Sequence, residues 1–413
     1  MKMSLFSETN DLIKQLLDGV MQQLTITDET AFLKDNVSKV IRTRVTAELC
    51  STLVKIHNLK ISDHEIMIKK LTKWLIDNQN SNGSWNETHI KYNKPSTVFT
   101  AICALTLLEV SESFPKINID EKVFEKTAEF ILNQEMEYGA YRKSELVHAD
   151  ILNADAMAAV FLLKFGTKSS NENYIKIGTR AVAHICSHQF IDGAYPYGGP
   201  LRAYPYKYHF YIPCVHYQAV TLYYLIKTKP YIKSEWLEHS IFSGTKWLMK
   251  NQKDNGYFEW KDSGLNFALY LSGTYAFALS VYQNFLSNDT NVTKLMEKSV
   301  DVLKEQIFQG ILLRWEKGNV KSIVKGFLEA PKGGSIGNYP ISFKFLRMMH
   351  RLYREVARSK ISNKITPSKL ITKPTGYSAY LGTVESSTNH PDMYMTTEAL
   401  DALSSSLEGL KNK

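Results

Sequence analysis

The chain has little sulfur and no long apolar run. Its four cysteines, Cys50, Cys103, Cys186 and Cys214, are scattered through 413 residues without Cys-x-x-Cys spacing. That pattern encodes neither a disulfide framework nor a zinc knuckle, and reduced structural thiols are expected. No window approaches the roughly eighteen uninterrupted apolar residues of a membrane span, and the opening Met1-Lys-Met-Ser-Leu-Phe-Ser-Glu-Thr-Asn lacks the apolar core of a secretory leader. A cytoplasmic protein is expected, with peripheral contact the one membrane association left open. Also missing are a phosphate-cradling Gly-rich loop with Lys-Ser/Thr, a His-Glu-x-x-His and a Gly-x-Ser-x-Gly. Lys332-Gly-Gly-Ser-Ile-Gly337 has no strand before it and reads as a turn. These absences leave no expected cofactor and no expected metal ligand set. The formal charge of +9 is spread along the chain without a nucleic-acid-binding motif. It suits an anionic small-molecule or oligosaccharide substrate better than a nucleic acid.

What is present is a repeat. Gln79 with Gly83 and Trp85, Gln134 with Gly139 and Tyr141, Gln189 with Gly193 and Tyr195, Gln252 with Gly256 and Phe258, and Gln306 with Gly310 recur about every 55 residues. Each glutamine closes an amphipathic stretch at helical spacing, such as Leu71, Trp74 and Leu75 before Gln79. The glycine supplies a helix-ending backbone, and the aromatic packs back over the helix end. A more apolar helix rich in small residues follows, as from Ser96 to Leu108 or from Asn153 to Leu163. The fold class expected is all-α: an α/α toroid of about six hairpins, with amphipathic helices outside and apolar ones inside. Residues 1–358 are read as the toroid, with 1–65 as its first hairpin, Thr27 and Asp28 as a helix start, and 337–358 as its last inner helix. Residues 359–413, with Pro367, Pro374, Gly376 and Pro391, are read as a loop-rich segment with a short closing helix around 397–410.

On these motifs the chain resembles the α/α-toroid superfamily of terpenoid cyclases and protein prenyltransferases, whose signature is similar to Gln-x-x-x-Gly-x-Trp. The likeness covers about residues 70–315 and implies architecture rather than chemistry. Class II cyclases carry Asp-x-Asp-Asp at the start of an inner helix. The best match here, Asn153-Ala154-Asp155-Ala156, keeps only the middle Asp, which in that family protonates the substrate. The prenyltransferase zinc pattern has no match. The portion from Asp150-Ile-Leu-Asn153 to Gln189-Phe-Ile-Asp-Gly193-Ala-Tyr195-Pro-Tyr197-Gly198 and His216-Tyr217 is similar to toroidal proteins of envelope-polysaccharide biosynthesis. That group often has an Asp near the position of Tyr211, and this chain does not.

Two stretches carry candidate chemistry. In His148-Ala-Asp150-Ile-Leu-Asn153-Ala-Asp155, Asp150 or Asn153 could cap the helix, while Asp155 lies among Ala154, Ala156, Met157, Ala158 and Ala159 and needs a partner or a task. His148, Asp150 and Asp155 are the acid–base candidates here, and Asp155 is expected to be partly buried and to face the cavity. From Tyr195 to Tyr217 the chain is dense in aromatic and basic residues. This is either a packed loop or a sugar platform, with Tyr195, Tyr197, Tyr204, His216 and Tyr217 as contacts, Arg202 for an acidic group, and His209 and Tyr211 as acid–base candidates. The reading is an enzyme of glycan or envelope-polysaccharide biosynthesis, a lyase, epimerase or hydrolase. Its rivals are a cyclase with Asp155 as acid, which needs a deep apolar pocket, and a non-catalytic glycan- or peptide-binding scaffold.

Overall fold

The computed structural model describes residues 2–34, 40–89, 92–144, 147–199, 213–258, 272–284, 290–314 and 390–411. Within them six apolar helices, α2 (Thr43–Asn58), α4 (Thr97–Ser113), α6 (Leu152–Lys168), α8 (Val215–Thr228), α10 (Gly273–Gln283) and α12 (Met393–Lys411), are buried on nearly every face. Each packs on the next, and α12 lies between α10 and α2, which closes them into an inner ring. Around them stand α1 (Lys2–Met21), α3 (Glu65–Asp77), α5 (Glu121–Leu132), α7 (Glu172–Ser187), α9 (Glu235–Asn251) and α11 (Thr290–Glu305). The outer helices are amphipathic because only one side meets the ring.

The first 65 residues do not pair as one hairpin. Helix α1 packs chiefly on α12 and α11, so it is the outer partner of the last inner helix. Thr27 and Asp28 start no helix but sit in the turn between β1 (Leu24–Ile26) and β2 (Ala31–Leu33), where the Thr27 amide donates to Thr30 O at 2.8 Å. The short helix expected around 397–410, read as lying beyond the toroid, is part of α12 (Met393–Lys411), which packs into the ring between α10 and α2. The expected helix at 337–358 lies outside the described residues.

The glutamine motifs lie together on the rim where outer helices end and inner helices begin. All five motif glycines have φ between 74 and 93°, the left-handed region. At Gly83 a Cβ would stand 2.2 Å from the Lys126 carbonyl oxygen of α5, so the neighbouring helix leaves no room for a side chain. The Gln79 amide donates to Gly83 O at 3.1 Å and to Val123 O of α5 at 2.9 Å. Gln189 reaches Gly193 and Ser240 of α9, and Gln252 reaches Gly256 and Ser299 of α11, in the same way. In these three units the motif ties the outer helix end to the next outer helix, whereas Gln134 turns back to Phe130 O of its own helix at 3.4 Å.

A second tie, not read from the sequence, joins rim to inner ring. The backbone N–H of the motif aromatic donates to a side chain on the following inner helix: Trp85 to Thr100 at 2.9 Å, Tyr141 to Asp155 at 2.7 Å and Tyr195 to Gln218 at 2.6 Å. Leu33 to Thr46 at 3.1 Å and Leu312 to Thr396 at 3.0 Å repeat it, and Phe258 meets the Tyr275 hydroxyl at 3.5 Å. Replacing Thr100 with valine keeps the shape but strands the buried Trp85 N–H. The expected cost is about 1–3 kcal/mol of unfolding free energy in urea titration; no change would show that the tie is dispensable.

Short antiparallel hairpins bridge outer to inner helices on this rim: β3 (Asn86–His89) with β4 (Tyr92–Pro95), and β6 (Ala140–Ser144) with β5 (Glu135–Glu137) and β7 (Val147–Asp150). β9 (Ile311–Arg314) pairs with β8 (Ile307–Phe308) and with β10 (His390–Pro391), which leads into α12. None of the four cysteines forms a disulfide, and no described helix is long and apolar enough to cross a membrane.

Candidate functional site

The centre of the inner ring is ionic. Helix α2 turns Arg44, Glu48, Ser51 and Lys55 to one face, at successive spacings of three or four residues, and α12 answers with Tyr394, Glu398, Asp401 and Ser405. Near the rim the Arg44 guanidinium lies 2.5 Å from both Glu48 Oε1 and Glu398 Oε1 and donates to the Tyr394 hydroxyl. Thr397 donates to the other oxygen of Glu48 at 2.8 Å. Deeper in, Lys55 pairs with Asp401, the Ser51 hydroxyl stands 2.6 Å from both Asp401 and Glu109 of α4, and Tyr223 of α8 crosses the ring to donate to Asp401 at 2.9 Å.

This crowding sets the protonation states. Burial pushes Glu48 up to about 8 against the pull of Arg44, and it raises Glu398 against the same pull. Burial works against the Arg44 charge, but Glu48, Tyr394 and Glu398 more than offset it. One guanidinium therefore faces two carboxyls that hold a proton between them into the neutral range, so one acts as acid and the other as carboxylate. Burial would also raise Asp401, yet Lys55 and Lys227 hold it well below the ordinary carboxylate range. Three buried oxygens at inner-helix starts, Glu398 Oε2, Asn153 Oδ1 and Asp155 Oδ2, have no hydrogen-bond partner among the described residues.

Those residues picked from the sequence that the structure describes fall elsewhere. Asp155 is wholly buried rather than partly so, and its Oδ1 is the tie to Tyr141 N–H that threonine or glutamine supplies in other units. Its pKa is raised well above the carboxylate norm by burial and then by the charge of Asp150. Asp150 ends β7 and turns outward to α7, where its Oδ2 lies 2.9 Å from His184 Nε2 and 3.8 Å from His188 Nε2. Burial opposes its charge, but His184 and Asp155 outweigh that and lower its pKa. His148 lies in β7, two positions before Asp150. Tyr195 is 1% exposed, with its hydroxyl 2.5 Å from Ser240 Oγ, so its ring is motif core and not a stacking surface. Tyr197 is likewise buried and stacks on the half-buried Tyr217, with centroids 4.2 Å apart, and the buried His216 at the start of α8 bonds Thr274 of α10 at 3.0 Å. Arg202, Tyr204, His209 and Tyr211 lie outside the described residues.

Sequence reading missed Arg44, Glu48 and Glu398. The signal was present in Thr46-Ala47-Glu48-Leu49-Cys50 and Thr397-Glu398-Ala399-Leu400, where a carboxylate sits in an apolar run as Asp155 does.

No family model and no curated protein matches the chain. Solved structures do match over their whole length. A type II terpene cyclase from Scytonema, in complex with geranylgeranyl dihydroxybenzoate, superposes with a TM-score of 0.58 at 12% identity, covering 98% of this chain and 99% of that one. An unsaturated glucuronyl hydrolase specific for heparin gives 0.58 at 13%, covering 99% and 98%. A GH76 α-mannanase of Bacteroides thetaiotaomicron gives 0.60 at 10%, covering 98% and 97%. The fold is an α/α toroid. At these identities the likeness carries the architecture, which the toroid shares between cyclases and glycan-acting enzymes.

Proposed function

We propose that this toroid is a glycan-processing enzyme acting on an acidic sugar unit at the rim where its inner helices begin. The observation that carries the reading is the ionic ring centre. A prenyl chain needs an apolar pocket, and here Arg44, Glu48, Lys55, Glu398 and Asp401 occupy the interior. Among the enzymes sharing the fold, the glucuronyl hydrolase and the mannanase act on glycans.

For hydrolysis, the proton that Glu48 and Glu398 share passes to the departing glycosidic oxygen, and the carboxylate of the pair takes a proton from the attacking water. Tyr217, half-buried and backed by the buried ring of Tyr197, offers an aromatic face to a sugar. Arg202 supplies a partner for a sugar carboxylate. The test is incubation with unsaturated uronyl oligosaccharides, mannan oligosaccharides and prenyl substrates, followed by mass spectrometry of products. Release of uronyl units is the expected result. Cyclised prenyl products alone would overturn the reading, and glycan binding without turnover would make the protein a scaffold.

A further inference from the structure

Outside the ring centre, Asp150, His184 and His188 bring three donor atoms within 4.8 Å of one another at the junction of β7, α6 and α7. His184 is on the last turn of α7 and His188 is its C-cap, four residues on, so both imidazoles rise from one helix face. The Asp150 side chain is wholly buried, whereas each histidine side chain keeps 15% exposure, so the cluster is walled on one side and reached by water on the other. Asp155 lies behind Asp150, close enough that the two carboxyls shift each other's protonation. Gly199 lies across the cluster: a Cβ there would stand 2.1 Å from Asp150 Oδ2 and 2.9 Å from His188 Nε2. The space shared by the donor atoms is the space that a side chain at 199 would fill.

We infer that Asp150, His184 and His188 form a binding site for a divalent transition-metal ion of the zinc type, tying the end of α7 to the start of α6. Two imidazoles and one carboxylate suit zinc, cobalt or nickel and disfavour magnesium and calcium, which take oxygen ligands. Three protein ligands leave a fourth position for water, on the side where the histidines are exposed. Asp155 is the outer group that orients the Asp150 ligand. The site is separate from Glu48, Glu398 and Arg44, so it stands or falls independently of the glycan reading.

The experiment titrates chelator-treated full-length protein with ZnCl2 by calorimetry and with CoCl2 by visible absorption. It also records zinc X-ray absorption on the wild type. One ion per chain, a four- or five-coordinate cobalt spectrum and scattering from two imidazoles are expected. His188→Gln should weaken zinc binding at least tenfold. Gly199→Ala should do the same with every ligand intact, and Asp155→Asn should weaken it about 10–100-fold. Circular dichroism and thermal melts check that each variant folds; zinc should raise the wild-type melting temperature and leave that of His188→Gln unmoved. Absence of binding, affinity in His188→Gln and Gly199→Ala equal to that of the wild type, or a wild-type absorption spectrum without imidazole scattering would each overturn the assignment.

Discussion

Arg44→Met is expected to lower the unfolding free energy by about 3–5 kcal/mol at neutral pH, because it removes one partner of a buried ionic cluster and leaves the others. The guanidinium is the counter-charge for both Glu48 and Glu398, each within 2.5 Å of it and each nearly sealed from solvent. Without it, two carboxyls share a site of low polarity in which Thr397 donates to Glu48 and no cation replaces Arg44 among the described hydrogen-bond partners. The loss should shrink as pH falls, since protonated carboxyls need no counter-ion. Adding Glu48→Gln and Glu398→Gln to the same chain should restore most of the stability. Urea titrations at several pH values measure all three variants; an Arg44→Met loss independent of pH would mean that packing rather than charge is at stake.

Glu48→Gln alone should act in opposite directions on activity and stability. As the proposed proton donor, its replacement should cut kcat by about 10²–10⁴-fold with little change in KM. Stability follows from the raised pKa. An unfolded glutamate loses its proton near 4.5, whereas the folded one keeps it until about 8. Between those values the folded state binds more protons than the unfolded state, so wild-type stability falls as pH rises through that window. Glutamine does not titrate, and the variant should gain on the wild type from pH 4.5 to 8. Loss of activity with a flat stability difference would place the charge elsewhere in the cluster.

The rings were legible in the sequence because the glutamine motif meets local backbone demands. A left-handed glycine such as Gly83 and an inward aromatic such as Trp85 must follow the helix end directly in sequence. The ring centre was not legible, because its pairs are assembled from distant positions: Arg44 and Glu398 are 354 residues apart. The same argument from an apolar neighbourhood that singled out Asp155 applied equally to Glu48, and only the fold separates the two. Asp155 turned out to fill a place in a repeated backbone tie, while Glu48 has no counterpart in that series. The metal-type cluster escaped a search for short ligand motifs because the spacing of His184 and His188 is ordinary on an amphipathic helix. Its third member, Asp150, arrives from a strand.

Closure of the ring by α12 also orders events during synthesis. Lys55 waits for Asp401 across 346 positions, and Ser51 waits across 350. Until α12 leaves the ribosome, the nascent inner helices expose Arg44 and Lys55 to water, which solvates their charge at little cost. The part-made ring is therefore a hydrated crescent, and docking of α12 is the step that desolvates both seams at once. A ribosome stalled before α12 emerges should hold a chain rich in helix yet open to protease along the face of α2.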